Sequence, residues 1–156
     1  MSVALIVATY LLARAEVEGL PTTSRFTAAI SPENPRARVA NAAQLKPFKE
    51  ELAAWGLEEQ VQITLELLVK AALLVRDEQG RLRPSALAYS WLQLPPATCH
   101  RLLFESSGVA LPLPAKLIEA LINGVALSED SSVRYSLEVL AASGLIELEK
   151  QTLARA

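Results

Sequence analysis

Val61-Gln62-Ile63-Thr64-Leu65-Glu66-Leu67-Leu68 is matched, 72 residues further on, by Val133-Arg134-Tyr135-Ser136-Leu137-Glu138-Val139-Leu140. Val, Leu, Glu and Leu recur in place, Thr64 pairs with Ser136, and Leu67 pairs with Val139. The same offset continues upstream without a gap, Ala43-Gln44-Leu45 over Ala115-Lys116-Leu117, and downstream, Leu73-Leu74 over Leu145-Ile146. Apolar agreement alone means little in a leucine-rich chain, because any helix of this length on a similar core needs similar spacing. The paired Glu66 and Glu138 and the shared helix-to-strand junction are harder to obtain by accident. Two units, near residues 43–75 and 115–147, therefore each read as helix, helix, strand.

In the first unit Leu45, Phe48, Leu52 and Trp55 fall on one helical face, with Pro47 in the first turn and Gly56 at the end. A second helix spans Glu58 to Ala72, with Val61, Leu65, Leu68 and Ala72 as its stripe and Ile63 and Leu67 widening it. Its polar positions, Glu58, Glu59, Gln62, Glu66 and Lys70, are expected to face solvent. Leu73–Arg76 then reads as a strand, Asp77–Gly80 as a turn with Gly80 free to take positive φ, and Arg81–Arg83 as the return strand ended by Pro84. Ser85 caps a helix to Leu94 that Pro95-Pro96 breaks, and Ala97–Ser106 resumes as another. The proline-rich run from Gly108 to Pro114 marks a boundary between residues 1–108 and a smaller unit, 109–156. There a helix opens at Pro114 and closes at Asn123-Gly124, a second is capped by Ser128, and Leu145–Leu148 reads as a strand. Lys150–Arg155 is expected as a truncated hairpin whose incomplete edge favours self-association or strand addition.

At the N-terminus Val3–Ala13 is an apolar run too short to span a bilayer, and Met1-Ser2 supplies no positive side chain for a leader. Leu5, Thr9, Leu12 and Glu16 track along one side of a helix and Ile6, Tyr10, Ala13 and Val17 along another, so the run reads as a buried first helix ending near Gly19 and Pro21. Residues 20–42, with Pro21, Pro32 and Pro35, read as a long connection with one short extended piece at Arg25–Ile30. A cytoplasmic location without membrane contact is expected.

The 156 residues are 51% hydrophobic and 21% charged, which argues against disorder, and the net charge of −2 supplies no global basic surplus for nucleic acid. One cysteine, Cys99, and one histidine, His100, rule out an intrachain disulfide and a His-Glu-x-x-His zinc site. The two are adjacent, and neighbours in a helix point about 100° apart, so they read as a half-buried thiol beside a surface imidazole rather than a nucleophile pair. No phosphate-cradling glycine loop is present. Carboxylate runs such as Glu50-Glu51, Glu58-Glu59 and Glu129-Asp130 suit helix starts and solvated faces. No catalytic residues, metal ligands or cofactors are expected.

Lys70-Ala71-Ala72-Leu73-Leu74 and Ala142-Ser143-Gly144-Leu145-Ile146, each a helix end followed by a short hairpin, resemble the recognition helix and wing of the winged-helix superfamily. The resemblance covers about two-thirds of the chain and implies two winged-helix-like units in tandem, mostly α with short β-hairpins. A narrower stretch, Arg81-Leu82-Arg83-Pro84-Ser85 with Trp91-Leu92-Gln93-Leu94-Pro95-Pro96, resembles winged-helix domains that accompany bacterial XPB-type helicases. No helicase motor is present.

Winged helices that read DNA lay this second helix in the major groove, where Arg, Lys, Asn and Gln contact base edges. Carboxylates at the solvent positions here would be repelled by phosphate. The hairpin differs. Arg76, Arg81 and Arg83 cluster on it, diluted by Asp77 and Glu78, and with Arg25, Arg36 and Arg38 could form a patch that positions a nucleic-acid backbone. Lys70 and Arg134 complete the candidate contacts. The competing reading is a solvated hairpin whose arginines pair with nearby acids. The expected function is a non-catalytic binding module in a DNA-transaction or regulatory assembly. The alternative is a protein–protein adaptor, with a protein partner or a second copy as its ligand and no nucleic-acid contact.

Overall fold

The computed structural model describes residues 2–23, 38–107, 131–143, 146–149 and 152–155, and the chain there is mostly helical. In chain order the elements are α1 (Val3–Val17), α2 (Ala42–Ala53), a 3-10 turn (Glu58–Gln60), α3 (Val61–Lys70), β1 (Leu74–Arg76), β2 (Leu82–Pro84), α4 (Ala86–Leu92), α5 (Pro96–Glu105), α6 (Ser131–Ser143), β3 (Ile146–Glu149) and β4 (Thr152–Arg155). The extended piece expected at Arg25–Ile30, the linker at 108–114 and the helix opening at Pro114 lie outside the described residues.

Helix α1 begins at Ser2, whose hydroxyl accepts the Leu5 N–H. It ends where Gly19 takes φ +76°, the left-handed conformation that glycine adopts without strain. The next residue, Leu20, exchanges two backbone hydrogen bonds with Leu82 on β2. The β1–β2 hairpin thus gains a third extended segment, and α1 is tied to it through the backbone.

Asn41 caps α2 in a capping box with Gln44. The helix therefore starts earlier than the sequence suggested, and Pro47 sits inside it rather than in its first turn. Leu45, Phe48 and Leu52 are buried as expected, but Trp55 is 76% exposed. The helix has stopped two residues before it, because Gly56 at φ +69° and the Leu57 N–H to Leu52 carbonyl bond close the C-terminus and turn the indole outward.

The largest departure is at α3. Val61, Ile63, Thr64, Leu65, Glu66, Leu67 and Leu68 are all buried, because α1, α2, α5 and α6 pack around this helix. Glu66 is fully buried rather than solvated, and its carboxylate accepts the Val39 N–H at 2.8 and 3.1 Å. Gln62 and Lys70 are partly buried. Gln62 donates to Glu66 and to the Ala40 carbonyl, and Lys70 donates to the Ser107 carbonyl. Such partners offset the cost of burying a carboxylate, and periodicity cannot reveal a partner 27 residues away.

Ala72 takes φ +61° at the end of α3. The strands follow with Leu74 opposite Pro84 and Arg76 opposite Leu82. In the second half, α6 precedes β3 as α3 precedes β1, and the strands start at Ile146 and Leu74, again 72 residues apart. The segment expected as a truncated hairpin pairs antiparallel, β3 with β4, Ile146 opposite Arg155.

Tyr135, Val139 and Ala142 of α6 join the same core as α1, α3 and α5. This face differs from the Val133, Leu137, Leu140 stripe of the repeat. The Tyr135 hydroxyl and Lys70 ammonium both donate to the Ser107 carbonyl, and Lys70 lies 5.9 Å from the Tyr135 ring centroid. The two halves are joined there just past the end of α5.

Candidate nucleic-acid interface

The basic residues that the sequence brought forward meet different fates. The turn of the hairpin that carries three of them is fixed by Asp77. Its carboxylate accepts the N–H groups of Gln79 and Arg81, its own N–H donates to the Arg81 carbonyl, and Gly80 turns the chain at φ +76°. These hydrogen bonds, that from Arg81 foremost and with the Arg83 guanidinium adding to them, hold the Asp77 carboxyl below its ordinary range.

So held, Arg81 and Arg83 point back across β2 at the end of α1. Arg81 donates to the carbonyls of Glu18 and Gly19 at 3.0 and 2.7 Å. Arg83 donates to the carbonyls of Ala15 and Glu16 at 3.3 and 3.2 Å and to Asp77 Oδ2 at 3.1 Å. The last carbonyls of a helix lack intrahelical donors and carry the negative end of its dipole. Two guanidinium groups are therefore placed where they complete α1. Gly19 makes the approach possible, since a Cβ there would lie 3.0 Å from both Arg81 Cβ and Arg81 Nε and 3.2 Å from Arg83 Nε. The sequence reading had the arginines either reaching phosphate or pairing with acids. Most of their partners are backbone carbonyls, an outcome with no local sequence signal.

Arg76 is exposed on β1 and donates to the Thr23 carbonyl at 2.9 Å. Arg38 is exposed, just ahead of the Val39 N–H that Glu66 holds. Lys70 is turned to Ser107 and Tyr135. Arg134 lies on α6, and Arg25 and Arg36 fall outside the described residues. The hairpin thus gathers Arg76, Arg81 and Arg83, while Lys70 lies at the joint between the halves.

Cys99 and His100 do not converge. Cys99 is buried, its thiol donates to the Trp91 carbonyl at 3.0 Å, and the Trp91 indole N–H donates to the Cys99 carbonyl at 3.1 Å. Burial pushes the thiol pKa up. His100 is partly buried rather than on the surface. Its Nε2 lies 3.2 Å from the Ser143 carbonyl and its ring packs at a tilt on Phe104, centroids 4.6 Å apart. Among the described residues, no group of three or more His, Cys, Asp or Glu side chains is placed to hold a metal ion, and no helix is long and apolar enough to cross a membrane. No family model, curated protein or solved structure matches the chain.

Proposed function

We propose that this chain is a non-catalytic binding module on a tandem winged-helix plan, and that its ligand is protein rather than the grooves of nucleic acid. Three helices and a hairpin in the order α1, α2, α3, β1–β2 support the winged-helix reading of the first half. The recurrence of helix then hairpin at α6, β3 and β4 supports the second. The observation that carries the choice of ligand is the burial of α3. The helix in the position of a recognition helix is enclosed by α1, α2, α5 and α6, and its polar side chains at Gln62, Glu66 and Lys70 bond to the protein itself. A helix that enters a major groove needs a free polar face. The commitment of Arg81 and Arg83 to the end of α1 points the same way.

The test is fluorescence anisotropy with labelled duplex and single-stranded DNA, at about 20 mM and about 150 mM salt. The expected result is no saturable binding at either salt. Binding that falls steeply with salt and weakens in Arg76→Ala, a substitution at an exposed position, would overturn the proposal in favour of backbone contact through the hairpin.

A further inference from the structure

Two short segments outside the regular elements, residues 22–23 and 38–40, are bonded to each other and to the elements around them. The Thr23 N–H and the Thr22 hydroxyl both donate to the Val39 carbonyl, at 2.8 and 2.6 Å. From α3, the Glu66 carboxylate accepts the Val39 N–H at 2.8 and 3.1 Å, and Gln62 donates to the Ala40 carbonyl at 3.3 Å. From α2, Gln44 Nε2 donates to the Thr22 carbonyl at 3.2 Å, while its Oε1 accepts the Asn41 N–H of the capping box. From β1, Arg76 donates to the Thr23 carbonyl at 2.9 Å, across 53 residues of sequence.

From the surface inward these bonds form a line, Arg76 to Thr23, Thr23 to Val39, Val39 to Glu66. Arg76 is exposed and Thr23 half-buried, while Val39 and Glu66 are fully buried. Each end of the line is a charged group, and hydrogen bonds to charged groups are the stronger ones. The Val39 N–H and carbonyl are both engaged, so the residue cannot shift towards one partner without lengthening its bond to the other. Burial raises the cost of such a shift. A carboxylate that loses a donor while staying out of water bears a desolvation penalty that nothing offsets. Helix α3 therefore grips the segment on which Arg76 of the hairpin rests.

We infer that these bonds act as a clamp coupling the hairpin surface to the core of α3, with Arg76 as its outer handle and Glu66 as its inner anchor. Members of one hydrogen-bond network are not independent, and their effects on stability fail to add. Bonds in such a chain also polarise one another. A guanidinium bonds more strongly to a carboxylate than to a neutral carbonyl. An acidic segment that draws Arg76 away thus releases Thr23, and the loss passes through Val39 to the buried carboxylate. The coupling runs both ways, because linkage is reciprocal. The inference goes beyond the adaptor reading. It concerns how a contact at the hairpin is passed inward, whichever ligand the chain takes.

Hydrogen exchange of individual backbone amides, followed by NMR on the full chain, tests it. The Leu67 N–H, in the middle of α3, reports global opening, and the Val39 N–H reports the clamp. Arg76→Ala stands for a hairpin whose guanidinium has been drawn away. It should speed exchange at Val39, which Arg76 does not hold directly, by about three- to tenfold beyond any change at Leu67, the worth of one hydrogen bond. In return Glu66→Gln should speed exchange at Thr23 by a similar factor. Arg76 is exposed, so Arg76→Ala keeps the fold and carries the test if Glu66→Gln unfolds. A Val39 amide that changes only in step with Leu67 in Arg76→Ala overturns the inference, as does an unmoved Thr23 amide in a folded Glu66→Gln. Neither outcome bears on the DNA titration, so the two proposals fail separately.

Discussion

Ala72 is the one residue other than glycine with positive φ among the described residues, at +61°, and replacing it with glycine should stabilise the protein. It is the residue that ends α3. The Leu73 N–H donates to the Leu68 carbonyl and the Ala72 N–H to the Val69 carbonyl, at 2.9 and 3.0 Å, the pair of bonds that closes a helix through a left-handed residue. A Cβ in that conformation costs about 1–2 kcal/mol. Glycine removes that cost but adds about 0.5–1 kcal/mol of unfolded-state entropy. Ala72 is exposed, so the lost methyl takes no core contact with it. The net gain for Ala72→Gly is about 0.5–1 kcal/mol, which for a chain of this size raises the melting temperature by about 1–4 °C. Ala72→Val should move the other way, because a β-branched residue is a sharper outlier there. Urea unfolding followed by circular dichroism reads all three proteins, and the midpoints should rank Gly above Ala above Val at a common slope. An Ala72→Gly midpoint at or below the parent's would refute the assignment of strain to this residue. The sequence itself offers a parallel, since Gly144 occupies the position 72 residues on.

Two further outcomes concern the hairpin. Gly19→Ala should destabilise by more than the net left-handed cost of about 0.5–1 kcal/mol, because its Cβ would also meet Arg81 at 3.0 Å. A urea midpoint unchanged from the parent's would show that the arginines do not seat on α1. Asp77 has a folded pKa held below 3.8 by the Arg81 N–H foremost. Its contribution is therefore present above the unfolded value and lost as pH falls through the folded one. The stability gap between the parent and Asp77→Asn should be constant above about pH 5 and close on further acidification, and a gap independent of pH down to the acid transition would contradict it.

The parts of the fold legible in the sequence were those set by local chemistry. Ser85 accepts the Ala88 N–H, and Gly19, Gly56 and Gly80 take positive φ where helices or the hairpin turn. Leu45, Phe48 and Leu52 face inward. What misled was pattern read past its end. Trp55 continues the α2 periodicity in the sequence, but the helix has already closed. Glu66 carries a charge on a helix, and nothing near it in sequence announces the Val39 N–H that makes its burial tolerable. The candidate site was half legible. Clustering of Arg76, Arg81 and Arg83 follows from a hairpin. The direction of two of the three depends on where the end of α1 lies, and that is fixed by the Leu20–Leu82 pairing, a contact between segments 62 residues apart.

The same distinction separates α1 from α3, which look alike in sequence. Both are short helices with apolar residues on nearly every side. In α3 the surplus is absorbed internally, as α1, α2, α5 and α6 enclose it and Gln62, Glu66 and Lys70 bond to carbonyls and N–H groups of adjoining segments. In α1 the core takes one face, the hairpin arginines take the C-terminal carbonyls, and α2 reaches the flank through Tyr10 and Arg14. On the outward side Val3, Ile6, Ala13 and Val17 stay exposed. An all-apolar helix therefore has two readings, a centre of the core or an edge awaiting a neighbour, and only the elements packed around it decide between them. For α3 that removes the face a nucleic acid would need. For α1 it leaves Val3, Ile6 and Val17 facing water, a poor neighbour for apolar side chains.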